Sequence, residues 1–207
     1  MSKVQGEKAF DAYFSSVYLD RWPAIKQSLF DDDLKVARKN LFFKEPEENF
    51  HGVGSPHEFL PQCFDVTEGF DLGSFQSSLL PFYRMDPASV IAARELQVQP
   101  GEVVLDMCAA PGGKSLVLAE SLFSAKNEKF DLSGKFVANE MSAKRRFRMM
   151  SVFKRYIPKE VRSCIDIKGV DGSLIGVRKK EIFDRILLDA PCSGERKEMK
   201  KKSDLET

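Results

Sequence analysis

The sequence has few metal-binding residues and no excess of charge of one sign. Among its 207 residues are two histidines and four cysteines, and the cysteines form no Cys-x-x-Cys pair. A zinc site is therefore not expected, and reduced thiols favour a cytoplasmic protein. The net charge is +1, so any contact with nucleic acid must come from local clusters rather than from a field of the whole molecule.

Long hydrophobic runs are also missing. No apolar run approaches the length needed to cross a membrane. The first residues, MSKVQGEKAFDAYF, contain no apolar signal segment and mix acids with bases, which argues against secretion and mildly against import into an organelle. The composition, 43% hydrophobic and 30% charged, is typical of one soluble domain with a small appendage.

One stretch, residues 103–118, has the pattern of a strand, a tight turn and a helix. The apolar run 103–105 stops at Asp106, a small glycine-rich turn follows at 109–113, and amphipathic spacing begins after Lys114. Such a corner builds nucleotide sites, because glycines let the backbone approach a ligand and the free N–H groups of a helix start attract negative charge.

The spacing of this turn excludes two nucleotide classes. The P-loop pattern requires a glycine where Cys108 stands, and the dinucleotide pattern G-x-G-x-x-G is not met. An S-adenosylmethionine (SAM) methyltransferase remains, in which an acid ends the first strand and the turn wraps a cofactor without a pyrophosphate. An ordinary strand–turn–helix corner is the alternative, and the intact run Asp-x-Cys-Ala-Ala-Pro-Gly-Gly-Lys disfavours it.

Three further strands are predicted, each followed by a carboxylate. The strand at 135–139 ends at Glu140, which is placed to accept hydrogen bonds from a ribose diol; the alternative role is a helix N-cap. A strand near 165–170 precedes Asp171 and Gly172, which could contact adenine or form a plain turn. The apolar strand 184–188 has the pattern of a central parallel strand.

The helix predicted from Ser142 to Tyr156 is rich in cations. Its apolar side is expected to contain Phe147, Met150, Val152 and Phe153. Its lysines and arginines are expected to form a solvated charged face in the main, and some could meet RNA phosphates.

The N-terminal region predicts helices followed by loops. Aromatic residues at helical spacing between Lys8 and Trp22 favour a buried helix face over a surface that stacks on RNA bases. Pro23 can open a second helix, and residues 43–81 predict loops with short strands at most. Asp86 and Pro87 form a clear helix start.

Two motifs carry a resemblance to a known family. DMCAAPGGKS at 106–115 and DAPCSG at 189–194, preceded by MDPAS at 85–89, closely resemble the Nol/Nop/Sun family of SAM-dependent RNA cytosine-5 methyltransferases. The resemblance implies an α/β fold with a Rossmann-like methyltransferase sheet, of which four strands are present, after an N-terminal helical segment. It also implies SAM as the cofactor, RNA (rRNA or tRNA) as the partner, and carbon 5 of cytosine as the methylated atom.

The resemblance also assigns roles to residues. Asp189 and Cys192 are the implied catalytic residues: Asp189 would hydrogen-bond N3 of the cytosine, and Cys192 would assist release of the methylated RNA. Residues implied to bind the cofactor are Cys108, Ala109, Ala110, Pro111, Gly112, Gly113, Lys114, Glu140, Arg145, Asp171, Gly172 and Asp189. Family members usually carry Asp at the position of Glu140, so this residue is a mild departure with a longer reach.

A second departure concerns the nucleophile. In this family the attacking cysteine belongs to a Thr-Cys motif, and the sequence contains no Thr-Cys pair. The chain is a fragment, or a degenerate copy, or one in which Cys192 attacks directly; we expect a fragment, which alone transfers little methyl. The expected division is residues 1–81, with a possible RNA contact, and an incomplete methyltransferase domain at 82–207. The alternatives are an inactive SAM- or RNA-binding module and another nucleotide-binding α/β domain.

Overall fold

A computed structural model describes residues 3–30, 35–44, 53–66, 78–126, 129–178 and 181–191. The described residues fall into two compact units, with residues 3–30 in one and residues 35–191 in the other. No helix in these ranges is both long enough and apolar enough to cross a membrane.

The first unit is a pair of helices joined by a single 3-10 turn. Helix α1 spans Lys3–Tyr18, and helix α2 spans Trp22–Ser28 with Pro23 in its first turn, as the sequence predicts. The rings of Phe14 and Trp22 stack at 5.0 Å between centroids, and Asp11 accepts hydrogen bonds from the Trp22 indole and from Lys26. The prediction of a buried aromatic face is wrong for most of its residues: Trp22 is buried and Phe10 and Phe14 are half-buried against it, whereas Tyr13, Val17 and Tyr18 are exposed.

The second unit begins with an antiparallel sheet. Its strands are β1 (Val36–Lys39), β2 (Gly54–Pro56), β3 (Cys63–Val66) and β4 (Phe82–Met85), in the order β2-β3-β1-β4. The sequence predicts short strands at most between 43 and 81, and it does not predict β1. Strand β1 pairs with β4, which begins at residue 82, the expected boundary between the two domains. The division into these two domains stays a prediction.

A parallel sheet follows, and it confirms the expected α/β class. Its strands are β5 (Val103–Asp106), β8 (Lys135–Asn139), β9 (Ile165–Lys168) and β10 (Arg185–Leu187), in the order β10-β5-β8-β9. The short hairpin of β6 (Ala125–Lys126) and β7 (Lys129–Phe130) precedes β8. The chain moves from β5 outward to β9 and then returns to the other side of β5. Parallel sheets bind ligands at such a reversal, beyond the carboxyl ends of the strands.

Among the described residues of this unit there are five α-helices. They are α3 (Pro87–Arg94), α4 (Gly113–Leu122), α5 (Ala143–Tyr156), α6 (Lys159–Arg162) and α7 (Ile175–Arg178). The Asp86 side chain accepts from the Ala88 N–H and caps α3, as the sequence predicts. Residues of α4, with Val104 and Phe136 of the sheet, are buried in one hydrophobic cluster.

Helix α5 corrects the sequence prediction of its apolar side. Its buried residues are Met149, Phe153 and Tyr156, whereas Phe147 and Met150 are exposed. Phe147 and Met149 are two residues apart, which places them on nearly opposite sides of a helix with 3.6 residues per turn. Burial of Met149 therefore turns Phe147 toward solvent.

Strand β10 also differs from expectation. Its apolar run predicts a strand with neighbours on both sides, but within the described residues it pairs only with β5. Ile186 is accordingly 48% exposed. A cavity of about 430 Å³ lies on this side of the sheet, with Leu105, Ile182 and Phe183 in its lining.

Candidate functional site at the carboxyl edge of the parallel sheet

The glycine turn after β5 is held tightly by its neighbours. Gly112 adopts φ +115° and immediately precedes α4. A Cβ at Gly113 would lie 2.8 Å from the ring of Tyr83, so only glycine fits there without a shift. Ala109 and Ala110 are buried, Cys108 is half-buried and Pro111 is exposed. Burial, with the Glu140 carboxylate as a further cause, raises the pKa of the Cys108 thiol.

Asp106, the acid at the end of β5, is buried in this turn and 1% exposed. The Ser115 hydroxyl donates to Asp106 Oδ2 at 2.7 Å, while Oδ1 has no hydrogen-bond partner. Burial raises the pKa of Asp106 to about 6, against the lowering effect of the Ser115 hydrogen bond.

Lys114 links three elements of the site. Its Nζ donates to Asp189 Oδ2 at 2.7 Å and to Ser89 Oγ at 2.9 Å. Two predicted site residues, Lys114 and Asp189, therefore meet. Sequence reasoning used Ser89 only as part of the MDPAS motif and did not assign it a contact; its place in the first turn of α3 brings it to the lysine.

Glu140 and Arg145 join β8 to the glycine turn. Glu140 is 4% exposed, and its Oε1 accepts from the Ser142 N–H at 2.9 Å. Its Oε2 is buried without a hydrogen bond and lies 3.4 Å from Arg145 Nε. Arg145 also donates to the Ala110 carbonyl at 2.9 Å.

The structure decides against the N-cap alternative for Glu140. The N-cap of α5 is Ser142, whose hydroxyl accepts from the Arg145 N–H. Glu140 lies two residues earlier, and its Oε2, which has no hydrogen-bond partner, faces Arg145 Nε.

Asp171 and Gly172 follow β9 at the same edge. The Asp171 side chain accepts from the Ser173 N–H at 3.0 Å and from the Ser173 hydroxyl at 2.8 Å, and these bonds hold the pKa of its carboxyl below the ordinary value. The predicted turn is thus present, with Asp171 capping a 3-10 helix over Gly172–Leu174. A Cβ at Gly172 would lie 3.2 Å from Met107 Cε.

Two further residues shape this edge and were missed by sequence reasoning. The Asn139 amide donates to the Met107 and Val170 carbonyls at 3.0 Å each, which ties together the segments after β5 and β9. Met141, directly after Glu140, is exposed and offers an apolar surface suited to pack against a base. The position after a strand-end acid was the available signal for Met141.

The second catalytic candidate cannot be placed beside the first. Asp189 follows β10 and lies at the carboxyl edge, but Cys192 lies outside the described residues. In the ranges that the structure describes, no group of three His, Cys, Asp or Glu side chains is arranged to hold a metal ion. Cys63, Cys108 and Cys164 are free thiols.

Similar proteins share this architecture. The chain is 29% identical to the 5-cytosine rRNA methyltransferase NSUN4 of Bos taurus in an alignment that covers 90% of this chain and 56% of that protein. Over 57% of the chain it is 34% identical to the mitochondrial tRNA (cytosine(34)-C(5))-methyltransferase of Danio rerio. The solved structure of a methyltransferase homologue from Pyrococcus horikoshii superposes with a TM-score of 0.68 at 24% identity, and the match covers 94% of this chain and 60% of that protein's chain.

A second solved structure, NSun6 from Pyrococcus horikoshii, matches 88% of the chain and 70% of its own with a TM-score of 0.66 at 18% identity, which supports the fold. The model of the 16S rRNA methyltransferase RsmB/F family matches residues 93–206, more than half of the chain. That match includes the glycine turn and every strand of the parallel sheet. The chain belongs to the RsmB/F family of methyltransferases.

Proposed function

We propose that this chain binds SAM and belongs to an enzyme that methylates carbon 5 of cytosine in RNA. The observation that carries the proposal is the buried Glu140 carboxylate, with one unbonded oxygen, connected through Arg145 to the glycine turn. The family and the rRNA and tRNA methyltransferases among the relatives support the choice of reaction. The chain spans about half the length of the bovine relative, so the activity of that whole relative is a proposal for this chain.

The residues present fit SAM. Glu140 Oε2, which has no hydrogen-bond partner, is proposed to accept from a ribose hydroxyl, with Arg145 Nε 3.4 Å away orienting the carboxylate. The turn 108–113 provides close backbone approach, and Lys114 at the start of α4 adds a positive charge for a carboxylate group. Asp171 and Gly172, beyond the next strand, are proposed to contact the adenine. SAM supplies an electrophilic methyl group on a positively charged sulfur.

The chain's own residues would then act on the cytosine. Asp189 is proposed to act as a carboxylic acid that donates a hydrogen bond to N3 of the ring, and Lys114, which donates to Oδ2 of the same group, holds it at the sheet edge. Carbon 5 is a poor nucleophile until a thiolate adds to carbon 6, so the enzyme requires a cysteine. Cys192 is proposed to assist release of the methylated RNA, as in the family's pattern.

A non-catalytic SAM- or RNA-binding module is the second candidate. The observation in its favour is the absence of a Thr-Cys pair from the sequence. Residues 82–207 are proposed as the cofactor domain and residues 1–81 as a further RNA contact. A cytoplasmic location stays a prediction, and the mitochondrial tRNA methyltransferases among the relatives favour testing mitochondria with a tagged protein.

Calorimetry tests the cofactor proposal. Titration of the purified chain with SAM, NAD and ATP is expected to give saturable binding for SAM alone. Saturable binding of NAD or ATP with none of SAM contradicts the proposal and favours another nucleotide-binding domain.

Methyl transfer separates the two functions. Incubation with radiolabelled SAM and rRNA or tRNA, followed by digestion and mass spectrometry of the nucleosides, detects 5-methylcytosine. SAM binding without 5-methylcytosine, from the chain or from any longer protein that its reading frame encodes, supports the non-catalytic module.

A further inference from the structure

Helix α5 concentrates positive charge on one exposed face. Its fourteen residues include six cations and no acid, in a chain whose net charge is +1. Residues three or four apart share a helix face. By this spacing one solvent-exposed stripe, called here the outer face of α5, consists of Lys144, Phe147, Arg148, Ser151, Lys154 and Arg155. The opposite side of the helix is buried in the core.

The cations of α5 divide into two groups. Arg145 and Arg146 are engaged in the site: Arg145 contacts Glu140 and the Ala110 carbonyl, and Arg146 donates to the Glu140 carbonyl at 2.7 Å. The four cations of the outer face form no ion pair with any carboxylate in the described part of the chain. Their charges are therefore available to an external partner.

An aromatic ring lies among these charges. Phe147 is 71% exposed, next to Arg148 in the sequence and one turn from Lys144 and Ser151. A face that serves only to be solvated gains nothing from an exposed phenylalanine. Aromatic side chains beside a row of cations are the arrangement that binds single strands, in which cations follow the phosphates and the ring stacks on a base.

We propose that the outer face of α5 binds single-stranded RNA beside the cofactor site. Lys144, Arg148, Lys154 and Arg155 contact phosphates, and Phe147 stacks on a base. Helix α5 starts three residues after Glu140, so the Lys144 end of this face lies at the carboxyl edge where methyl transfer is proposed. Lys154 lies about 15 Å further along the helix, so a strand held on this face would lead toward that edge. The inference rests on the proposed function for its choice of RNA over an acidic protein.

The experiment measures binding of a fluorescein-labelled single-stranded RNA of mixed sequence and of a duplex of equal length by anisotropy across a series of salt concentrations. The test variant is Lys144→Gln with Arg148→Gln. The matched control is Lys129→Gln with Lys135→Gln, two exposed lysines outside the outer face. Each phosphate contact to a single strand contributes about 0.7 to the salt slope, so the test variant is expected to lower the slope by about 1.4.

Phe147→Ala tests the stacking contact separately. It is expected to weaken single-stranded binding roughly 5- to 150-fold and to leave duplex binding unchanged. SAM titration of every variant checks the fold and separates the two proposals: normal SAM binding with lost RNA binding supports the surface. Hydrogen exchange of the unmodified protein provides a second measurement, in which RNA is expected to protect residues 143–156.

Several results of these measurements would each overturn the proposal. They are an equal loss of affinity in the matched control, an unchanged salt slope in the test variant, and unaltered exchange of α5 on addition of RNA. Equal competition by a polyglutamate peptide at matched charge also contradicts it, since such a peptide offers no base to Phe147. If SAM fails to bind while RNA binding depends on the outer face, the proposed function fails and the surface stands.

Discussion

Replacing Glu140 by Gln tests the cofactor site at its most specific point. The Gln carbonyl oxygen can still accept from the Ser142 N–H, so the backbone contact survives. The amide then occupies the place of Oε2, where its hydrogens face Arg145 Nε, which lies 3.4 Å from Oε2 in the native protein. One charged acceptor for a ribose hydroxyl is lost, and a hydrogen bond to a charged group contributes about 1.5–3 kcal/mol.

The expected result is a dissociation constant for SAM that rises roughly 10- to 150-fold, measured by calorimetry, since each 1.4 kcal/mol is a factor of ten. Glu160→Gln is the matched control, because Glu160 is exposed on α6 and outside the site. Urea unfolding of both variants checks the fold. If Glu140→Gln binds SAM as the native chain does, the ribose assignment is wrong and the argument from the unbonded oxygen with it.

Three further predictions concern the packing and protonation of the unit. Gly113→Ala is expected to lower the free energy of unfolding by about 1–3 kcal/mol, because the added Cβ meets the Tyr83 ring. In urea titrations, a smaller residue in place of Tyr83 should recover most of this loss, and no recovery would show that the clash is not its cause. Glu120→Gln is expected to lower the free energy of unfolding by about 3–5 kcal/mol, since it leaves Arg38 buried without a charged partner. Replacing both residues by apolar ones should restore stability, and a loss below about 1 kcal/mol in Glu120→Gln contradicts the reasoning. Burial raises the pKa of Asp106 to about 6 in the folded protein, so the folded state binds more protons than the unfolded state between about pH 4 and about pH 6. The free energy of unfolding is therefore expected to fall as the pH rises through this range. Asp106→Asn should make that fall smaller in urea titrations at several pH values, and an unchanged fall would exclude Asp106 as its cause.

The parallel sheet was predictable from sequence because its signals are local. Strand 135–139 matches in both bounds, since a charged residue precedes its apolar run and an acid follows it. The helix start at Asp86 was predictable for the same reason, because a cap and a proline stand side by side. Such patterns depend on nearest neighbours and not on the rest of the fold.

The antiparallel sheet could not be predicted, because its support is distant in sequence. Strand β1 contains a buried arginine, which local pattern places on a surface. Arg38 is tolerated in the interior only because Glu120, eighty-two residues later, meets it there. Burial raises the pKa of Glu120, and the Arg38 charge opposes that rise. Glu120 is too far from β1 in the sequence for a local pattern to reveal this contact.

The contacts of the glycine turn explain why the antiparallel sheet belongs to the same unit as the site. Strand β4 places Tyr83 against Gly113, and helix α5 places Phe153 at 3.3 Å from a Cβ at Gly112. The Arg38–Glu120 pair fixes β1 on α4, and β1 in turn pairs with β4. The turn is therefore packed on both sides in the absence of a ligand. Such a preorganised turn loses less conformational entropy when a ligand binds. On this reasoning, strands β1 and β4 contribute to cofactor affinity through the turn that they support.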